Sequence, residues 1–176
     1  IHALPVFHTH GLFVATNVAL VSGAEMLFMD KFDTEKVIQA MTSATSLMGV
    51  PTFYTRLLQH PDLSSAAKNM RLFVSGSAPL LAQTHEEWIQ KTGHAILERY
   101  GMTEANMITS NPYDGTRKAG TVGMPLDGIT VRIISEETME EVAEGEVGSL
   151  EMKGANLFTG YWQNPEKTAA EFRSDG

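Results

Sequence analysis

"RLFVSGSAPLLAQTHEEWIQKTGHAILERYGMTE", residues 71–104, decides the fold class. It opens on the apolar run Leu72–Val74 and passes into a small polar turn, Ser75-Gly76-Ser77. Pro79 suits the first turn of a helix, because its missing N–H is one the helix would not use and its φ is already helical. Leu81, Thr84 or His85, and Trp88 recur at helical spacing, and Gly93 supplies a stop. "AILERY" follows as a second strand. Apolar runs on either side of a helix, rather than alternation, predict a parallel strand pair buried on both faces.

The same rhythm continues upstream. "HALPVF" reads as a strand, residues 12–22 as an apolar helix and "AEMLFM" as a strand. Asp33 then caps a helix whose Val37, Ile38 and Met41 share one face. "TSLMGV" is the next strand, and Pro51 opens a helix through Phe53, Tyr54, Leu57 and Leu58. Residues 1–118 are therefore expected to be α/β, a mostly parallel sheet with helices on both faces, with "AILERY" the last strand of the series. From residue 119 "TVRIIS" and "GSLEMKG", separated by Gly- and acid-rich turns, predict antiparallel hairpins. Residues 119–176 are thus expected to be a smaller antiparallel β portion of the same domain. They close on a helix capped by Asn164 with Pro165 first, and then on a turn at "SDG".

Composition narrows the function classes. The 176 residues carry a formal charge of −8 with no Lys/Arg-rich run, which argues against nucleic acid or an anionic membrane as partner. Cysteine is absent, which excludes disulfides and thiolate-held metals. The longest apolar stretch, residues 11–29, is broken by Asn17, Glu25 and two glycines, and reads as helix then strand rather than a membrane span. A start at Ile1 and a stop at "FRSDG" suggest a piece of a longer protein. Its expected compartment is the cytoplasm, with the mitochondrial matrix as the alternative.

Three predicted strands end in polar, glycine-containing turns: "VFHTHG", "FVSGSAP" and "LERYGMTE". In open α/β sheets ligands sit at the carboxyl ends of strands, so three such turns on one edge outline a site. Backbone N–H groups near Ser75, Gly76 and Ser77 would meet a polar or anionic ligand, although Ser77 also fits a plain helix cap. No G-x-x-x-x-G-K-S/T phosphate loop is present. His8 and His10, two apart, would share a face of a strand; a metal site there needs a third ligand and only His2 is near, so each would line a pocket or sit in the core. Thr103 and Glu104, a hydroxyl beside a carboxylate, suit Mg²⁺ on a polyphosphate, or simply open the next loop.

Together "LPVFHTHGL", "VSGSAPL", "ERYGMTEA", "GTVGMPLDG" and "GEVGSLEMKGANLFTGYW" resemble, in order and spacing, the adenylate-forming acyl-CoA synthetase family. The resemblance covers essentially the whole chain. It implies a ligase using ATP, Mg²⁺ and CoA, with small-molecule partners only. It further implies that Tyr100 stacks on adenine, with Ser77, Ala78 and Pro79 on the other side of the ring and Gly101 and Met102 completing the nucleotide segment. Thr103 would bond the α-phosphate, Glu104 would bind the metal, and His8 would line the acyl pocket and the thiol path. The family's phosphate loop with its Lys would precede Ile1. Its ribose-binding T-G-D and its C-terminal domain with the catalytic Lys would follow Gly176, so these residues by themselves are expected to be inactive. Asp127 and Ala155 replace prolines common in the family, at positions outside the expected pocket.

Arg99 points to the substrate. Relatives that take aryl or fatty acids usually carry a small residue just before the Tyr of "YGMTE". A guanidinium facing an acyl pocket is costly unless an anion meets it, and its planar fork fits a carboxylate. The combination "SGSA" plus "LERYGMTE" resembles the malonyl-CoA synthetases of the family, which implies Arg99 holding the distal carboxylate of malonate and Ser75 or Ser77 adding a hydroxyl. Methylmalonate or another small acid is the alternative ligand, and a non-catalytic nucleotide-binding relative the alternative class. Direct pairing of Arg99 with Glu98 is awkward, since adjacent strand residues face opposite ways, but Glu87 or Glu104 would be within imaginable reach.

Overall fold

In the computed structural model, residues 1–173 are described. The turn expected at Ser174–Gly176 lies outside them. The chain divides into two compact units, Ile1–Met124 and the segment from Pro125 on.

Unit one is built around strands β1 (Ser46–Gly49), β2 (Leu72–Ser75) and β3 (Leu97–Met102), which run parallel in the order β1-β2-β3. The expected parallel-rich α/β sheet is therefore present. Helix α1 (Asn17–Val21) lies early in the chain, before α2 (Thr34–Met41), α3 (Pro51–Leu57), α4 (Leu63–Ala66) and α5 (Ala82–Thr92). Asp33 caps α2 by accepting from the Lys36 N–H at 3.0 Å, which satisfies one of the donors a helix start leaves free. The same helix buries Val37, Ile38 and Met41 against Leu47, Leu57, Phe73 and Trp88. Trp88, fully enclosed, meets the rings of Tyr54 and Phe73 edge-on, each at 4.9 Å. The Tyr54 hydroxyl donates to the Val74 carbonyl at 2.6 Å, which pins α3 to β2.

Several expectations are corrected. "HALPVF" and "AEMLFM" form no extended strands; only His2 bridges Phe28 and Met48, each in parallel. Pro5 and the turn that follows leave no extended run in which a ladder can continue. The helix predicted over 12–22 begins earlier, as a π-helix at His10–Thr16 that runs into α1. The cause is local: the Thr16 hydroxyl donates to the Gly11 carbonyl at 2.9 Å, and the His2 ring contacts the same carbonyl at 2.9 Å, which widens the turn.

Helix α5 starts at Ala82, not Pro79, because Leu81 is extended (φ −64°, ψ 135°) and the Leu80 N–H is held by a side chain of β3. Its stop at Gly93 is as expected, with φ +78°. "AILERY" is not the last strand either. β3 turns at residues 103–105 and pairs antiparallel with β4 (Asn106–Ser110), and the sheet closes on the two-residue β5 (Met124–Pro125). That turn needs Asn106 at φ +56°, and Gly101 is obligatory because a Cβ there would lie 2.1 Å from the Asn106 carbonyl oxygen.

The second unit holds the expected hairpin, β6 (Ile129–Ile134) antiparallel to β7 (Ser149–Gly154). Across it Arg132 and Arg173 both meet the Glu151 carboxylate at 2.7 Å. Helix α6 (Pro165–Glu171) is capped by the Asn164 side chain, which accepts from the Lys167 N–H at 3.1 Å.

Candidate active site

At the carboxyl ends of β2 and β3 the loop 76–81 meets the start of the π-helix. His10, buried at 8% exposure, shares a hydrogen bond of 3.1 Å with the Ser77 hydroxyl through Nδ1. Gly76 lets these segments close up: a Cβ on it would stand 3.3 Å from the His10 ring and 3.5 Å from the Arg99 carbonyl oxygen. Ser77 itself is held at φ +69°, a region that costs a non-glycine residue energy and persists where neighbours fix it.

Arg99 lies on β3 opposite Ser110, and its Nε donates to the Ser110 hydroxyl at 3.1 Å. The side chain is partly buried, and burial lowers its pKa from the usual arginine value. Among the described residues no carboxylate pairs with it. Glu98 points its carboxylate at Leu80 instead, with Oε1 accepting the Leu80 N–H at 3.0 Å, and Glu87 accepts from Gln83 at 2.8 Å. Arg99 is thus a partly desolvated cation that, among the described residues, bonds a neutral hydroxyl and no carboxylate.

Not every predicted residue joins this cluster. Ser75 is fully buried and level with Glu98 across the β2–β3 ladder, so it shares the Glu98 face and not that of Arg99. Its hydroxyl has no partner among the described residues. Of the two serines offered beside Arg99, Ser77 is the one set at the His10–Gly76 corner. His8 is exposed, its ring tilted against Phe7 at 4.9 Å, and His10 is the histidine that turns inward. The pair does not share a strand face, because a helical turn begins between them. Ala78 and Pro79 are exposed along the loop, Tyr100 is half-buried on β3 in register with Thr109, and Gly101 and Met102 complete that strand. Thr103, exposed, and Glu104, half-buried, occupy the β3–β4 turn directly beyond. Sequence reasoning left Glu98 without a role and gave His10 only the alternatives of pocket lining or core, with the short H-x-H spacing as its signal.

The chain matches the AMP-binding enzyme family over residues 1–162. It belongs to that family. It is 41% identical over 197 residues to the probable CoA ligase CCL8 of Humulus lupulus, covering all of this chain and 32% of the relative. It is 38% identical over 197 residues to the malonate–CoA ligase of Arabidopsis thaliana, with the same coverage of 100% and 32%. The ATP-bound crystal structure of MatB from Rhodopseudomonas palustris superposes with a TM-score of 0.97 at 60% identity, over 99% of this chain and 35% of that one. This AMP-binding enzyme chain therefore spans about a third of the length of the relatives it matches.

Among the described residues no group of three or more His, Asp and Glu could hold a metal ion, so a complete protein cage is not offered. A carboxylate next to a hydroxyl in sequence, as at Glu104 and Thr103, suits a cation that keeps most of its ligands as water and phosphate oxygens. No described helix is long and apolar enough to cross a membrane.

His10 is pushed down to about 4, first by burial, then by the Arg99 and His2 charges. Between pH 4 and 6.5 the unfolded chain therefore binds a proton at this position that the folded chain refuses. The associated stability is complete above pH 6.5 and is lost as pH falls toward 4, up to roughly 3 kcal/mol. Urea unfolding of wild type and His10→Gln at a series of pH values between 7.5 and 4.5 checks this. The difference isolates His10 from His2 and His85, which burial shifts in the same direction. Parallel curves for the two proteins would contradict the assignment.

Proposed function

We propose that this chain supplies the acid- and adenine-binding wall of an ATP-dependent malonate–CoA ligase. The observation that carries the reading is Arg99, a partly buried guanidinium without a carboxylate partner beside His10 and Ser77. An isolated buried cation is unfavourable, and a substrate anion that meets it recovers the lost solvation in a bidentate pair. Malonate provides that anion and still has a second carboxylate to react.

In the proposed reaction an oxygen of the reacting carboxylate attacks the α-phosphorus of ATP, and pyrophosphate leaves. The CoA sulfur then adds to the acyl carbon, loses its proton, and AMP departs. The chain's residues bind and orient. Tyr100 stacks on adenine, while Ser77, Ala78, Pro79, Gly101 and Met102 frame the base. Thr103 donates to the α-phosphate oxygen, where charge grows in the transition state. Glu104 would hold Mg²⁺, which when bound neutralises phosphate charge. His8, which is exposed on this chain, is assigned the acyl and thiol side. Arg99, aided by Ser77, holds the distal carboxylate and so fixes the reacting one in line.

The relatives named malonate–CoA ligase, and MatB with ATP bound, support this reading. Discrimination follows from the same charge: acetate would leave the guanidinium unpaired, a loss of orders of magnitude in rate. In a full-length ligase carrying this sequence, pyrophosphate release and thioester formation with acetate, malonate, methylmalonate and succinate test it. Malonate or methylmalonate is expected to lead by at least about 100-fold over acetate. Equal turnover of acetate and malonate would sink the substrate assignment.

A further inference from the structure

Glu98 is a buried titratable residue that the proposed chemistry does not use. Only 3% of it is exposed, and burial raises its pKa. Its carboxylate neither pairs with Arg99 nor faces the same side of the strand. One oxygen accepts the Leu80 N–H at 3.0 Å; the other is enclosed without a partner among the described residues. Leu80 is itself buried, and it ends the loop that carries Ser77, Ala78 and Pro79. The bond therefore ties that loop to the strand bearing Arg99 and Tyr100, across 18 positions of sequence.

The backbone of Glu98 extends the tie. Its carbonyl accepts from both the N–H and the side-chain amide of Asn111, at 3.0 and 3.2 Å. Asn111, 4% exposed, also donates to the Thr121 carbonyl at 2.6 Å and accepts from the Lys118 N–H at 3.1 Å. Glu98 thus stands where three segments meet: the loop after β2, the start of β3 and the chain beyond β4. At the far end of the first loop His10 holds Ser77, which keeps φ +69°. A loop strained at one residue and anchored on both sides has one geometry available to it.

We infer that Glu98 is a positioning residue for nucleotide binding: its carboxyl oxygen fixes the 78–80 part of the loop at the height where the base is framed against Tyr100, while Ser77 is held separately by His10. The inference rests on the ligase reading for the identity of the ligand. A carboxyl kept out of water at that depth serves as acceptor without needing its charge, so an amide of the same shape does the same work.

The test uses a full-length ligase carrying this sequence, with Glu98→Ala, Glu98→Gln and the wild type compared in steady-state kinetics. Glu98→Ala is expected to raise the KM for ATP about tenfold and to leave the KM for malonate within about twofold. Glu98→Gln is expected to restore the ATP KM to within about threefold of wild type, because the Leu80 N–H again has an acceptor. An unchanged ATP KM in Glu98→Ala, an equal rise in both KM values, or a failure of Glu98→Gln to rescue would each overturn the inference. If Glu98→Ala does not fold while Glu98→Gln does, equilibrium ATP binding by Glu98→Asp decides. A retained carboxylate without the reach is expected to weaken ATP about tenfold, and wild-type affinity in that variant overturns the inference. A wild type with no ATP-dependent activity on any acid would instead defeat the ligase reading itself.

Discussion

Replacing Arg99 by Ala in a full-length ligase carrying this sequence is expected to lower kcat/KM for malonate by about 100- to 1000-fold and to leave the KM for ATP within about twofold. The size follows from what the side chain lacks. Its Nε is bonded to a neutral hydroxyl, and no carboxylate among the described residues offsets its charge. Malonate would bring the missing partner, and truncation would leave a substrate carboxylate desolvated against a cavity. Charge-assisted bonds of that kind are about twice as strong as neutral ones, and losing one partner costs more than the bond is worth. The KM for ATP stays because Arg99 lies on the face of β3 opposite Glu98, whose carboxylate holds the Leu80 end of the loop. Arg99→Lys should recover little, since an ammonium cannot form the two-bonded fork. An Arg99→Ala enzyme that turns over malonate normally would remove the role assigned here.

Trp88→Ala is expected to destabilise unit one by about 4 kcal/mol, read as a fall in the denaturation midpoint. Trp88 is completely enclosed and is the shared neighbour of Tyr54 and Phe73, each met edge-on at 4.9 Å. Removing it empties the space between α3, α5 and β2, where Tyr54 also bonds the Val74 carbonyl. Domains of this size are stable by only about 5–15 kcal/mol in total, so the loss is a large share. A cost below about 1 kcal/mol would mean that the core around α5 collapses to fill the gap.

Much of the framework was legible because it depends on local chemistry. Apolar runs marked β1, β2 and β3; Asp33 and Asn164 marked helix starts; Gly93 marked a stop. The antiparallel β6–β7 hairpin was signalled by the Gly- and acid-rich turns between "TVRIIS" and "GSLEMKG". Features set by the third dimension were not legible. β4 was missed because its turn relies on Asn106 adopting a positive φ and on Gly101 having no side chain, neither of which shows as a strand pattern. Helix α5 was started at Pro79 because nothing local says that Leu80 gives its N–H to a residue 18 positions away.

The site shows the same division. That Arg99 and Glu98 face opposite ways could be read from strand alternation alone. That His10 and not His8 turns inward could not, because the strand assumed there is replaced by a π-helix. Ser75 and Ser77 looked equivalent in "VSGSAP", and only the β2–β3 register separates them: the former is level with Glu98, the latter reaches His10.

The central claim is that Arg99 selects a dicarboxylic acid by meeting its distal carboxylate. A crystal structure of a full-length ligase carrying this sequence, with malonyl-adenylate bound, tests it most directly. The account predicts the distal carboxylate within about 3 Å of the Arg99 guanidinium nitrogens, in a two-bonded arrangement. A distal carboxylate lying elsewhere, with Arg99 still bonded only to Ser110, would contradict it.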